Sequence, residues 1–199
     1  MSDRLQENGP SNRNRFVVLD RDGTIIVERN YLSDPDGVEL LPGVPEALRN
    51  LRQAGFGLVV ITNQSGIGRG YFTESQLQEI HDRMNQLLEK ENVELDGIYF
   101  CPHLPTDSCQ CRKPQTALLE SASADHNFDA ERCFVIGDKL SDIELGQNKG
   151  ATTILVRTGY GNEVAQEGTA SPSYTADNLI DAANFILNQV QNELPERVG

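Results

Sequence analysis

Asp20 and Asp22 stand two residues apart in the run Leu19-Asp20-Arg21-Asp22-Gly23-Thr24. Paired carboxylates at this spacing suit a hard, oxygen-seeking cation such as magnesium. One carboxylate can attack phosphorus to give an aspartyl phosphate. The other can protonate a leaving oxygen and later deprotonate water. An acidic turn is the competing explanation, since Asp-Gly is a common turn dipeptide. It loses ground because three more polar motifs fall near the ends of later strand-like stretches. Thr62-Asn63-Gln64-Ser65-Gly66 offers a hydroxyl and backbone amides to phosphoryl oxygens. Arg112-Lys113-Pro114 places two cations where a helix is expected to start, so side chains and helix amides can meet an anion together. Gly137-Asp138-Lys139-Leu140-Ser141-Asp142 adds a metal carboxylate, while Ser141 or Asp142 can cap a helix instead. Taken singly, these three read equally well as a polar loop, a solvated basic pair and a capped turn.

A second constellation lies between the lysine and the strand before it. Cys101, His103, Cys109 and Cys111 fall within eleven residues. Cys3His is a tetrahedral zinc set, and four protein ligands leave no open position, which makes such an ion structural. A disulfide with a spare thiol is the alternative, disfavoured in a reducing compartment. Zinc here would stiffen the loop that leads into Arg112 and Lys113. Cys133 heads an apolar run and reads as a buried apolar residue. His81 and His126 read as ordinary helix residues.

The elements that must position these groups alternate. Apolar or β-branched runs at 15–19, 58–62, 97–100, 133–136 and 153–156 have the pattern of buried strands. Between them, Ala47, Leu48, Leu51 and Ala54 share a helix face behind Pro42-Gly43-Val44-Pro45, stopped by Gly55. A Gly-rich loop follows at 65–70. Thr73 and Gln76 form a capping box ahead of the stripe Leu77, Ile80, Met84, Leu87 and Leu88. Pro114 is placed to open a helix, and further helices are expected at 143–147 and 179–194. Five alternations imply an α/β fold: a three-layer, Rossmann-like parallel sheet with helices on both faces and ligands at the carboxyl ends of the strands. No insertion is long enough for a large cap domain.

The chain of 199 residues fits one domain over 15–199, behind a polar tail at 1–14 that is expected to be disordered. A net charge of −13 argues against a nucleic-acid backbone or an anionic membrane as partner. It also means that phosphate can be handled only where cations are placed locally. The first fifteen residues carry no apolar signal segment and every apolar run is short, so the expected location is the cytoplasm and the expected state a monomer.

In order, Asp20-Arg21-Asp22-Gly23-Thr24, Thr62, Lys113 and Gly137-Asp138 resemble the four motifs of the haloacid dehalogenase superfamily of phosphatases. The resemblance spans about 16–142. It implies that Asp20 is the nucleophile and Asp22 the general acid/base, with Thr62 and Lys113 on the transferring phosphoryl group. It also implies Mg2+ on the Asp20 carboxylate, the Asp22 backbone carbonyl and Asp138. The Cys-x-His…Cys-x-Cys loop narrows this. With Asn63-Gln64-Ser65-Gly66-Ile67, Arg69-Gly70 and Asp96-Gly97-Ile98-Tyr99, the chain resembles the bacterial phosphatases that remove the 7-phosphate of D-glycero-D-manno-heptose 1,7-bisphosphate. Histidinol-phosphate phosphatases are the runner-up, and other small sugar-phosphate phosphatases share the same chemistry. By the same resemblance Glu28, Arg29, Asn30 and Tyr31, together with Thr62, Asn63, Gln64, Ser65 and Arg112, contact the substrate. Zn2+ is expected on Cys101, His103, Cys109 and Cys111.

Two rival classes are separable from this one. A phospho-accepting signalling domain also joins acids, a hydroxyl and a lysine on a parallel sheet, but needs neither Asp22 as acid/base nor a zinc loop. Steady turnover of a phosphate ester excludes it. A purely zinc-binding interaction module leaves Asp20, Asp22 and Asp138 unexplained.

Overall fold

The computed structural model describes residues 15–193, so the expectation of a disordered tail at 1–14 concerns residues outside this span. Six parallel strands form one sheet: β1 (Phe16–Leu19), β2 (Gly57–Asn63), β3 (Gly97–Cys101), β4 (Phe134–Gly137), β5 (Thr152–Val156) and β6 (Tyr174–Ala176). Their spatial order is β3-β2-β1-β4-β5-β6. Both neighbours of β1 run in register with it, Val18 opposite Val59 on one side and Val135 on the other.

A strand exposes alternate residues to opposite faces, and β1 buries both. Val17 and Leu19 face a core built by α1 (Val44–Gln53), α3 (Glu74–Lys90) and α7 (Leu179–Glu193). Phe16 and Val18 face a second core containing Leu119 and Ala122 of α4 (Ala117–His126) and Leu145 of α5 (Leu140–Asn148). That sandwich is the expected three-layer fold. Among the described residues no helix is long and apolar enough to cross a membrane.

Several local details differ from the sequence expectation. The Gly-rich stretch is partly helical, as α2 (Ser65–Gly68). Pro114 does not open a helix: α4 starts three residues on, behind Thr116, so the helix amides stand away from Lys113. Helix α6 (Gly161–Glu167) and edge strand β6 carry no strong period in sequence, because each is short and only partly buried. The Thr73–Gln76 capping box forms at the start of α3 as expected. The long connection after β1 is folded down by isolated bridges between Asp22 and Ile26 and between Ile26 and Leu40, and builds no separate cap.

Candidate active site

The order of the sheet explains where the site lies. The chain runs outward from β1 through β2 to β3, then returns to place β4 on the other side of β1. Loops after β1 and β4 therefore diverge and leave a crevice at their carboxyl ends. A cleft of about 210 Å³ opens there, lined by Asp20, Asp22, Thr62, Gln64, Lys113 and Lys139 among others.

Asp20 is the first residue after β1 and is tied to the sheet by its amide, which donates to Ile136 O at 2.9 Å. Lys113 meets it from 93 positions along the chain, Nζ donating to Asp20 Oδ1 at 2.8 Å. The same ammonium lies 2.6 Å from Asp142 Oδ1 and donates to Ile61 O at 2.6 Å. The ammonium thus donates two hydrogen bonds, to Asp20 and Ile61, and is ion-paired with Asp142. Burial by itself would push the Asp20 carboxyl up, but Lys113 and then Lys139 outweigh it and hold it below the ordinary carboxylate range. Burial would likewise pull the Lys113 ammonium down, and Asp142 and Asp20 together raise it instead. The pair is ionised: a carboxylate with a fixed cation beside it.

Asn63, expected to contact substrate, holds Lys113 in place. Its Oδ1 accepts from Lys113 N at 3.0 Å and its Nδ2 donates to Lys113 O at 3.2 Å. Gln64 is similarly engaged, its Nε2 donating to Asp22 Oδ2 at 2.9 Å and to Thr62 Oγ1 at 2.8 Å. Glu28, Asn30, Tyr31, Ser65 and Arg112 all line the cleft. Arg29 does not: it turns out to pair with Glu39 at 2.6 Å, because Asn30 and Tyr31 take positive φ angles of 49° and 68° and reverse the chain there.

Two residues whose roles the sequence left open belong to the site. Asp142 both caps and pairs, Oδ2 accepting from Lys139 N at 3.0 Å while Oδ1 faces Lys113. Lys139 gathers Glu28 Oε2 at 3.2 Å, Asp138 Oδ1 at 3.7 Å and Asp20 Oδ2 at 3.9 Å. Its position directly after Asp138 was the available signal, but a lysine at a helix start is common enough to pass as solvated. His81 and His126 lie on helices as expected, though His81 is buried and edge-on to Phe100 at 6.2 Å.

The residues present fit a hard divalent ion. Asp138 is fully buried, its Oδ2 accepts from Tyr160 N at 2.8 Å, and its Oδ1 accepts no hydrogen bond. Burial and then the Asp20 charge push its carboxyl up to about 8. An unpartnered buried carboxylate oxygen beside a second carboxylate is what such a cation satisfies. Room is kept by Gly23 and Gly159, both in left-handed conformation, where an added Cβ would come within 2.2 Å and 2.1 Å of Asp138 Oδ2. Asp142 also brings an oxygen within 4.8 Å of Asp20 and Asp138; its Oδ2 accepts from Lys139 N, and its Oδ1, which accepts no hydrogen bond, lies against the Lys113 ammonium. The Asp22 carboxylate is turned to Arg21 and Gln64.

The cysteine loop fits zinc. The four cysteines are free thiols, and Cys101 Sγ lies 3.7 Å from Cys109 Sγ, 3.2 Å from Cys111 Sγ and 3.5 Å from His103 Nδ1. A tetrahedron of Zn–S bonds has edges of about 3.8 Å, close to this cage. Burial pushes the Cys101 thiol up to about 12, so a cation is needed to draw out its thiolate. The loop is pinned to the site, since Cys101 O accepts from Gln64 N at 2.7 Å and His103 O from Arg112 Nη1 at 3.4 Å. Cys133 is buried and separate from it, as expected.

A doubly wound sheet with two acids after β1, a threonine one residue before the end of β2, a buried lysine and an acid after β4 defines a haloacid dehalogenase-like phosphatase. The HAD-hyrolase-like family model matches residues 110–182. The chain is 41% identical over 179 residues to a D-glycero-beta-D-manno-heptose-1,7-bisphosphate 7-phosphatase of Yersinia pestis, covering 85% of this chain and 94% of that protein. Identity to the protein of the same name in Escherichia coli K12 is 40%, over 87% and 94% of the two chains. In structure it is similar to the D,D-heptose 1,7-bisphosphate phosphatase of B. bronchiseptica, solved with magnesium and phosphate. The TM-score is 0.83 at 32% identity, covering 88% of this chain and 99% of that one. The chain belongs to the D-glycero-D-manno-heptose 1,7-bisphosphate 7-phosphatase family.

Proposed function

We propose that this protein is a cytoplasmic, magnesium-dependent phosphatase that removes the 7-phosphate of D-glycero-beta-D-manno-heptose 1,7-bisphosphate. The observation that carries the chemistry is the Asp20–Lys113 contact of 2.8 Å at the base of the cleft, where a buried carboxylate is kept ionised. The likeness to relatives of that name supports the substrate.

Asp20 is the nucleophile. One of its carboxylate oxygens forms a bond to phosphorus as the bond from phosphorus to the sugar oxygen breaks. Asp22 gives its proton to that oxygen, and the alcohol leaves. Asp22, now a carboxylate, takes a proton from water, whose oxygen bonds to phosphorus while the aspartyl bond breaks. Phosphate is released and both acids return to their starting states. Lys113 and Thr62 hold the transferring phosphoryl group, Lys113 opposing the repulsion between carboxylate and dianion. Asp20, the Asp22 carbonyl and Asp138 would hold magnesium, which supplies further charge neutralisation. Arg112 at the mouth suits the distal phosphate, since a guanidinium makes paired hydrogen bonds. Cys101, His103, Cys109 and Cys111 would hold zinc, which would keep the Arg112–Lys113 segment in position.

The test is phosphate release from a panel of both heptose 1,7-bisphosphate anomers, histidinol phosphate and common hexose phosphates. Heptose bisphosphate should give the highest kcat/KM and heptose 1-phosphate as product. A preference for histidinol phosphate or a hexose phosphate would overturn the substrate, and a stable phosphoprotein without turnover would overturn the enzyme reading.

A further inference from the structure

Arg21 sits between the two acids of the β1 motif and is the largest fully buried side chain described, with 1% of its surface exposed. A buried cation costs several kcal/mol unless it is well paired. Among the described residues its carboxylate partner is its own neighbour, Asp22. Adjacent residues of an extended chain point apart, so this pairing needs a bend. The bend is visible: Arg21 O accepts from the amides of Ile25 at 2.9 Å and Ile26 at 3.0 Å, curling the chain just after the acids.

The contacts treat the two oxygens of Asp22 differently. Oδ2 accepts from Arg21 Nε at 3.0 Å and from Gln64 Nε2 at 2.9 Å, and Arg21 Nη2 stands 2.9 Å away as well. Oδ1 accepts from Arg21 Nη2 at 3.0 Å and from no other described group. A carboxylate oxygen has about two acceptor positions. Those of Oδ2 are taken, and one of Oδ1 remains. Burial and then the Arg21 charge pull the His81 imidazole down to about 4, so it is neutral and adds no competing charge.

We infer that Arg21 is a positioning residue for the proton transfers: with Gln64 it clamps the Asp22 carboxylate so that Oδ1 is the atom that gives and takes the proton. This rests on Asp22 acting as general acid and base. A lysine cannot replace the function, because a point charge does not span two oxygens.

The experiment separates the steps by leaving group. An alkyl sugar phosphate needs a proton on its leaving oxygen; a p-nitrophenyl phosphate does not. Both need water deprotonated afterwards. In rapid-quench measurements Arg21→Met should form phosphoenzyme from the sugar phosphate about 100-fold more slowly, at unchanged KM, and from the aryl phosphate within about 3-fold of wild type. Dephosphorylation should slow by about 100-fold with either substrate, so that aryl phosphate gives a stoichiometric burst and a phosphoenzyme trapped by acid quench. Arg21→Lys keeps the buried charge without the fork. It should show the same leaving-group split at about 10-fold, and it carries the test if the methionine variant does not fold by circular dichroism. Equal losses in the rate of phosphoenzyme formation from the two substrates, or no phosphoenzyme accumulation from the aryl phosphate, overturn the inference. Asp20→Asn should form no phosphoenzyme from either substrate. Phosphoenzyme in that variant would overturn the proposed function itself, and the inference with it.

Discussion

Lys113→Met removes the ammonium that touches both Asp20 and Asp142, at 2.8 Å and 2.6 Å, and all three side chains are at most 5% exposed. Removing one partner of a buried ion pair costs about 3–5 kcal/mol, because the charge left behind is neither solvated nor paired. Methionine matches the stem, so packing changes little and the loss is electrostatic. Asp142 is already raised above its ordinary value by burial, with Lys113 opposing. Without Lys113 it rises further, and a carboxyl raised in the folded state gains stability as pH falls. Urea unfolding in magnesium buffer should therefore show a loss of about 3–5 kcal/mol at pH 7.5 that shrinks by about 1–2 kcal/mol at pH 5.5. Adding Asp142→Asn to Lys113→Met should recover about half of it, since the stranded charge is then gone. Turnover should fall by about 100- to 1,000-fold and not recover in the double variant, because Asp20 and the phosphoryl group still lack their cation. A loss below about 1 kcal/mol, or a double variant no more stable than the single, would refute the picture of a shared buried ammonium.

Four further outcomes are expected. His81 falls from 6.5 to about 4 on folding, so the unfolded chain binds more protons at this group in that window and its contribution to stability drops as pH falls; between pH 7 and 5 the wild type should lose about 2 kcal/mol relative to His81→Gln. Gly159→Ala forces a side chain onto φ 55° and within 2.1 Å of Asp138 Oδ2; magnesium affinity, read by titration, should weaken by about 10-fold or more. Elemental analysis should find about one zinc per chain, and stripping it should lower the melting temperature, whereas removing magnesium should abolish turnover reversibly with the fold intact. Arg112→Ala should lower kcat/KM for heptose bisphosphate by about 10- to 100-fold while an aryl phosphate is hydrolysed almost as well as before.

Sequence by itself determined what depends on neighbours along the chain. Strands β1, β2, β4 and β5 were legible because each is an apolar or β-branched run buried on both faces, and the partly buried edge strand β3 because its Ile98, Tyr99 and Phe100 are strand formers. The cysteine set was legible because its four ligands lie within eleven residues. The acids and cations were legible as types at strand ends, where a doubly wound sheet opens its crevice. Tertiary structure decided which of them meet and what each is free to do. Lys113 reaches Asp20 across 93 residues, and Asn63 holds the Lys113 peptide across 50. Neither pairing leaves a periodic trace. Glu28 stays in the cleft and Arg29 leaves it because of two positive φ angles that no local propensity forces on Asn30 and Tyr31. Arg21 stands between two acids in the sequence, which gives no sign of its burial. It is a buried cation because the turn after β1 folds its side chain under Asp22, and turning a charge inward is favourable only once the partner's position is fixed by the rest of the fold.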